Sequence, residues 1–304
     1  MKKRIGLTGG TGFIGQYLIR DYGDQYEFVA ITTRDDCSAL SPKANYVKDS
    51  YTREGFLRVF EGCEAVIHLG ASIPEQVTET GNMDAYYKNI ASSEQLFMAC
   101  KTMESGKIIN VSSVSVYDKM SEMPLKESMQ CNPDSCYGIS KATVEMLANM
   151  YGRKYGFTCL SLRVSQVLGY MSERNNGFFS MLLNNTCQGK EIPIYGQGKA
   201  ARDYIYVRDV AGAIVSALET EVPSDVFNIG SGIPITNTEL AEAYVAGISS
   251  DSIIRHIDVE REDDRFWYLD TQKAQKILHF TPSYSVSDMA RDMKHEMELA
   301  KGIG

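Results

Sequence analysis

Tyr137 and Lys141 stand four residues apart in Tyr137-Gly138-Ile139-Ser140-Lys141, at the start of a helical pattern. That spacing puts both side chains on one helical face. A phenol ionises near about 10 and is a poor base at neutral pH, but a nearby ammonium favours the phenolate. Lowering its pKa by about three units takes about 4 kcal/mol, which a lysine and a bound cofactor cation together could supply. Alone the pattern is common, and an exposed helix pair is the alternative. A second group is Val111-Ser112-Ser113-Val114-Ser115-Val116-Tyr117, directly after a strand-like run at 107–111. A serine at the carboxyl end of a parallel strand sits where ligands bind. Its hydroxyl can bond a substrate hydroxyl or a developing oxyanion; a serine-rich turn is the alternative. The third group is Gly9-Gly10-Thr11-Gly12-Phe13-Ile14-Gly15, between an apolar run at 5–7 and an amphipathic run carrying Phe13, Ile14, Tyr17 and Leu18. Strand, glycine turn and helix are what a pyrophosphate site needs. Gly9 permits the tight turn, Gly12 a close approach of backbone to phosphate, and Gly15 close packing of helix on strand. The helix N–H groups and the positive end of its dipole then face the anion.

These groups need a frame. Strand-like runs at 5–7, 28–32, 65–69, 107–111 and 158–162 alternate with helical patterns at 13–22, 53–60, 83–103 and 140–155. Such alternation predicts βαβ units: a doubly wound parallel α/β sheet with helices on both faces. After Val167 the rhythm changes. A helix is predicted near 180–188, strands at 192–195 and 204–207, a helix at 210–218, and a strand at 226–229 that returns to the main sheet. The tail from Thr238 reads as mostly helical, with a short strand near 253–257. The expected organisation is a dinucleotide-binding Rossmann domain over 1–166, with a returning segment at 207–229. A smaller, discontinuous C-terminal lobe follows over 167–304, mainly 167–206 and 230–304.

The 304 residues include 43% apolar and 23% charged, a globular balance, and carry a net charge of −8. That charge argues against a nucleic-acid partner. No run approaches the roughly 18 apolar residues of a membrane span, and the basic start is consumed by the first strand, so a cytoplasmic location is expected. The 7 cysteines, an odd number without a Cys-x-x-Cys pair, read as reduced thiols. The 4 histidines give no metal-ligand spacing, so no metal is expected.

Taken in this order, the motifs resemble the extended short-chain dehydrogenase/reductases, in particular the NAD(P)-dependent nucleotide-sugar epimerase/dehydratase group. The resemblance runs nearly end to end. It is carried by Thr8-Gly-Gly-Thr-Gly-Phe-Ile-Gly15, Val66-Ile-His-Leu-Gly-Ala71, Asn89, Val111-Ser-Ser113 and Tyr137 to Lys141. Further on it includes Leu162-Arg163, Arg202-Asp203-Tyr204-Ile-Tyr-Val207 with Asp209, Phe227-Asn-Ile-Gly-Ser-Gly232 and Asp270 to Lys273. It implies that Ser113, Tyr137 and Lys141 are catalytic, Tyr137 as acid/base and Lys141 holding the nicotinamide ribose. It implies a cofactor site of Gly9, Thr11, Gly12, Phe13, Ile14, Gly15, Arg34, Asp49, Ser50, Leu69, Gly70, Ala71 and Asn89, with Tyr137 and Lys141. Asp49 would contact the adenine. Ser113, Gln166, Arg202, Trp267 and Tyr268 would meet the substrate, Arg202 gripping its diphosphate; for Arg202 the alternative is a partner for Asp203 or Asp209. The long helices resemble those that pair in dimeric relatives.

Departures from the family pattern sharpen the expectation. NAD-using members end the second strand with an acid; here Thr32-Thr33-Arg34-Asp35-Asp36 follows, and Arg34 is placed for a 2′-phosphate, leaning the cofactor from NAD toward NADP. Asp35 and Asp36 could serve NAD instead. Dehydratases of the group carry Asp-Glu after the catalytic Ser/Thr; here Val114-Ser115 cannot do acid–base work, which disfavours dehydration. Gln166 stands nearest a position where the family usually has asparagine. The resemblance therefore implies C4 epimerisation of a UDP-hexose or UDP-N-acetylhexosamine. The alternatives are an NADPH-dependent reductase of a keto sugar or other carbonyl, and a non-catalytic cofactor sensor. Trp267 and Tyr268, two or three residues before Asp270, align with a gate over the sugar; for Trp267 the alternative is packing of the lobe against the Rossmann domain.

Overall fold

A computed structural model describes residues 2–71, 83–103, 106–118, 122–171 and 177–302. The first part of the chain forms β1 (Arg4–Thr8), α1 (Phe13–Tyr22), β2 (Glu27–Thr32), β3 (Ala44–Lys48), α2 (Arg53–Val59), β4 (Ala65–His68), α3 (Met83–Met103), β5 (Lys107–Ser113), α4 (Cys136–Tyr155) and β6 (Thr158–Val164). Then come β7 (Gln166–Leu168), α5 (Phe178–Cys187), β8 (Ile192–Tyr195), β9 (Ala201–Tyr206), α6 (Val207–Glu219) and β10 (Asp225–Ile229). The chain continues through β11 (Pro234–Thr236), α7 (Asn237–Ile248), β12 (Ile254–Ile257), β13 (Phe266–Trp267), α8 (Gln272–Ile277) and α9 (Val286–Ala300).

The main sheet is seven-stranded and parallel, in the order β10-β6-β5-β4-β1-β2-β3. Its strands are near-continuous apolar runs because both faces are covered. Alternation along each strand sorts the residues. Phe28 and Ala30, Ala65 and Ile67, Ile109 and Val111 pack with Leu18 and Ile19 of α1 and Val210 and Ile214 of α6. Val29 and Ile31, Val66 and Ile108 pack on the other face with Phe56 of α2, Phe97 of α3 and Val144 of α4. This is the doubly wound Rossmann arrangement that the alternating pattern predicts, and β10 does return to the sheet beside β6. Strand order reverses between β1 and β4, so their carboxyl ends open the crevice where such folds bind ligands.

Four short strands escape the sequence reading. β3 is a half-buried edge strand without an apolar run, and β7, β11 and β13 are of 3, 3 and 2 residues. β11, β9 and β13 form a small sheet that β7 joins, and β12 pairs with β8. A third cluster, with Leu182, Ile194, Tyr206, Leu240, Tyr244 and Met293, packs α5, α7 and α9 around these strands. α4 starts at Cys136, earlier than the periodicity predicts, because Ser135 caps it, its side chain accepting from the Gly138 N–H at 3.2 Å.

A buried ion pair fixes α4 to the sheet. Arg163 of β6 meets Glu145 of α4 at 2.7 Å. Arg163 also donates to the Tyr117 hydroxyl at 2.8 Å, which in turn donates to Asn228 of β10 at 2.7 Å. The Ser112 hydroxyl donates to Glu145 at 2.5 Å. Trp267 is 3% exposed and lies with Val114, Val116, Tyr117, Leu125, Ala142 and Leu269 in a fourth cluster beside that pair. Its ring thus packs β13 against α4 and the segment after β5. Trp267→Ala should cost about 3–5 kcal/mol, measured by urea unfolding. A loss under about 1 kcal/mol would show that the ring does not hold this junction.

Candidate active site

The glycine turn is built as its spacing requires. Gly9 has φ +71°, and a Cβ there would lie 2.8 Å from the Gly70 nitrogen. A Cβ on Gly15 would lie 2.3 Å from the Gly9 carbonyl oxygen, so the helix rests directly on the turn. Gly12, the N-cap of α1, is otherwise open: a Cβ there would meet only the Gly9 oxygen, at 3.2 Å. No acidic residue lies in the first turn of α1, so its N–H groups and dipole are not answered by a side-chain anion there. These features fit a pyrophosphate. Thr11, Phe13 and Ile14 are half-buried around the turn, Phe13 against Gly169, where a Cβ would come within 2.7 Å of its ring.

Farther along the strand ends, Arg34 is exposed just past β2. Asp35 pairs with Lys48, and Asp36 accepts from the Ser38 N–H at 2.8 Å. Asp49 and Ser50 follow β3. Arg58 and the Ser50 N–H donate to Asp49 at 2.7 Å each, and Arg58 holds the Asp49 carboxyl well below the usual range.

The Tyr137–Lys141 pair occupies the first turns of α4. Gly138 lets that helix touch the turn after β5, since a Cβ there would lie 2.1 Å from the Ser115 carbonyl oxygen. Lys141 is buried, and its ammonium donates to the Val111 carbonyl at 2.7 Å and lies 5.9 Å from the Tyr137 ring centroid. Burial pushes the ammonium down to about 8, while Glu145 one turn on pulls it up. Ser113 ends β5, and its oxygen accepts from the Ser115 N–H at 3.1 Å. The structure thus brings Tyr137, Lys141 and Ser113 to one corner.

A polar chain links this corner to the glycine turn. The Gly70 N–H donates to the Thr8 hydroxyl at 2.9 Å, leaving that hydroxyl to donate to His68 Nδ1 at 2.7 Å. The Ser93 hydroxyl donates to the Asn89 carbonyl at 2.7 Å, so it accepts from His68 Nε2–H at 2.8 Å. One neutral tautomer satisfies every group. Asn89 Nδ2 donates on to Ser140 at 3.1 Å, and Ser140 donates to the Tyr137 carbonyl at 2.7 Å. His68, Ser93 and Ser140 were not singled out as site residues by sequence reasoning; their signal is only a polar residue inside an apolar run.

Arg202 of β9 has neither partner that the sequence suggested. Asp203 accepts from the Ser231, Gly232 and Leu269 N–H groups at 2.7, 3.0 and 3.2 Å, and Asp209 from those of Ser283 and Tyr284 at 2.9 and 3.2 Å. Arg202 instead donates to Asp263 at 2.7 Å and to Asn237 at 3.3 Å. Arg265 grips the same Asp263 carboxylate at 2.7 and 2.6 Å. The Arg265 and Arg202 guanidiniums hold that carboxyl well below its ordinary range. The Tyr204 hydroxyl is buried with its oxygen toward the Arg202 guanidinium, and its O–H has no acceptor among the described residues. Gln166 is half-buried and sits in register with Tyr204. Of the gate pair, Trp267 is committed to the fourth cluster, and Tyr268 is half-buried. Arg265 and Asp263 were missed as site residues because an Asp/Glu-rich stretch reads as a solvated face.

Residues 5–230 match the NAD dependent epimerase/dehydratase family. The chain belongs to that family. Among solved structures, a UDP-glucose 4-epimerase from Thermotoga maritima, crystallised with UDP-glucose, superposes with a TM-score of 0.86 at 26% identity, covering 98% of this chain and 99% of that one. A dTDP-4-dehydro-6-deoxyglucose reductase of Escherichia coli is 28% identical over 94% of this chain and 95% of its own length. A trifunctional UDP-glucose 4,6-dehydratase/UDP-4-keto-6-deoxy-D-glucose 3,5-epimerase/UDP-4-keto-L-rhamnose-reductase of Arabidopsis thaliana is 30% identical over 90% of this chain. The chain spans only 44% of that plant protein. Family membership makes this an NAD-dependent type of site, in accord with the open glycine turn.

The buried His68 makes the frame pH-sensitive. Burial, with the Lys141 ammonium adding to it, pushes the imidazole down to about 3, whereas an unfolded histidine takes its proton near about 6.5. Between those values the unfolded chain binds more protons, so stability falls as pH drops below about 6.5. From pH 7 to pH 5 this residue should cost about 2 kcal/mol. Urea unfolding at both pH values checks it, and His68→Gln should lose that part of the slope.

Proposed function

We propose that the protein is an NAD(P)-dependent nucleotide-sugar epimerase that inverts C4 of a UDP-hexose or UDP-N-acetylhexosamine through a transient 4-keto sugar. The observation that carries this reading is the Tyr137–Lys141 pair set against the end of β5 beside Ser113, where the two following residues, Val114 and Ser115, supply no carboxyl group for dehydration. The dinucleotide, held at the glycine turn, supplies a hydride acceptor and donor. Tyr137 takes the C4 hydroxyl proton and later returns it. Lys141, cationic below about pH 8, stabilises the phenolate. Ser113 donates to the C4 oxygen as it becomes a carbonyl. Arg202 receives the diphosphate, and Arg265 across the same carboxylate is a second cation for it. Gln166 and Tyr268 line the sugar.

The UDP-glucose 4-epimerase likeness supports the substrate class. One observation favours the second reading, a reductase using NADPH: Arg34, the residue expected to meet a 2′-phosphate, is exposed just past β2. The deciding assay follows UDP-, GDP- and dTDP-sugars by NMR without added reductant. C4-inverted product with no net cofactor change supports the epimerase. Turnover only when NADPH is supplied and consumed, or a 4-keto-6-deoxy product, overturns it. Exposed Ile139, Met146 and Met150 on the outer face of α4, with Tyr87 of α3, support pairing as a homodimer, which light scattering tests.

Tyr137→Phe should abolish turnover with cofactor binding nearly intact, and activity within about tenfold of the parent would overturn the assignment. Lys141→Met should weaken cofactor binding and move the pH–rate profile upward, because the phenol then ionises closer to about 10. Arg34→Ala should weaken NADP more than NAD in parallel fluorescence titrations; equal effects would leave Arg34 a surface charge.

A further inference from the structure

We propose that Asp263 is a built-in stand-in for the substrate diphosphate, and that the nucleotide sugar enters by displacing it. The proposal rests on the reading that Arg202 receives the diphosphate. Two guanidiniums, Arg202 from β9 and Arg265 from the segment before β13, close on this one carboxylate at 2.7 and 2.6 Å. A carboxylate oxygen held between two guanidinium forks occupies the place that a phosphate oxygen would take, since both anions suit the same bidentate geometry.

Three features separate a displaceable occupant from a fixed structural partner. The Asp263 side chain remains about a third exposed, at 35%, and lies on a polar segment with Asp258, Glu260, Glu262 and Asp264. Arg202 has a second anchor, Asn237 Oδ1 at 3.3 Å, which keeps its guanidinium in place when the carboxylate leaves. The Tyr204 hydroxyl is buried with its oxygen toward the Arg202 guanidinium, and its O–H has no acceptor among the described residues, a donor that Asp263 does not use and that an incoming oxyanion can. Glu262 meanwhile accepts from the Gln197 N–H at 2.6 Å, holding the segment on the turn after β8 so that Asp263 can swing while its neighbour stays. The carboxylate carries one negative charge where a diphosphate ester carries two. A diphosphate therefore neutralises both arginines and a lone carboxylate does not, so the exchange favours diphosphate-linked sugars over singly charged ones.

The test is calorimetric titration of the full chain with UDP, with dTDP and with uridine, which lacks the phosphates. Asp263→Asn keeps the shape and removes the charge. It should bind UDP or dTDP about three- to tenfold more tightly, with uridine affinity unchanged. Thermal melting confirms that the variant is folded, and Asp263→Ser should act in the same direction. If Asp263→Asn and Asp263→Ser bind the diphosphates no more tightly than the parent, Asp263 organises the arginines and the proposal falls. Arg202→Ala separates the two ideas. If it leaves diphosphate affinity unchanged, the diphosphate reading itself fails. If it weakens binding while the Asp263 variants do not strengthen it, only the stand-in role is overturned.

Discussion

The corner that holds Tyr137 and Lys141 depends on one buried charge pair, Glu145 with Arg163. Neither partner reaches water, so each needs the other to offset its desolvation. Glu145 sits one turn beyond Lys141 on α4, and Arg163 sits on β6 of the main sheet. Their contact fixes the axial position of α4, and with it the placement of Tyr137 over the end of β5. The pair also organises what surrounds it. Ser112 donates to Glu145, and Tyr117 relays the arginine to Asn228, which holds the Leu125 and Asp270 carbonyls at 2.9 and 3.1 Å. β5, β6 and β10 are thus tied together behind Tyr137 and Lys141.

The site divides along the crevice where strand order reverses. On one side, the glycine turn leads into a helix whose first turn holds no acidic residue. On the other, Arg202 and Arg265 stand on late-sequence elements. The polar chain through Thr8, His68, Ser93 and Asn89 runs beneath, from the end of β1 to the first turn of α4. Every donor in it has one acceptor, which fixes helix and turn relative to each other without a charge. The strand end before the glycine turn and Tyr137 are therefore parts of one hydrogen-bonded unit.

Much of this was legible in the sequence, for identifiable reasons. The central strands are buried on both faces and read as apolar runs, and the glycines are explained by positive φ and close backbone approach. Tyr137, Lys141 and Ser113 stand out in the sequence by residue type and spacing, and the structure sets Lys141 near the Tyr137 ring and against the β5 backbone. Edge strand β3 and the two- and three-residue strands carry no period long enough to detect. The start of α4 was missed because its signal is a serine cap rather than an apolar stripe. Long-range pairs such as Arg202 with Asp263 leave no local trace. Trp267 shows the limit from the other side: a large aromatic near a predicted pocket reads equally as gate or core, and only its surroundings assign it to packing.

Gly138 has a consequence for how finely this site is set. A glycine in the first turn of a helix gives up about 1 kcal/mol of helix propensity relative to alanine. Here that sacrifice allows backbone to lie against backbone, since a methyl group would sit 2.1 Å from the Ser115 oxygen. The spacing between the first turn of α4 and the strand end is thereby set by main-chain atoms, which cannot rotate away as side chains do. A displacement of about 1 Å at a reacting group can cost about a hundredfold in rate. The missing methyl works as a gauge block: it trades a little fold stability for a helix-to-strand spacing that side-chain motion does not blur.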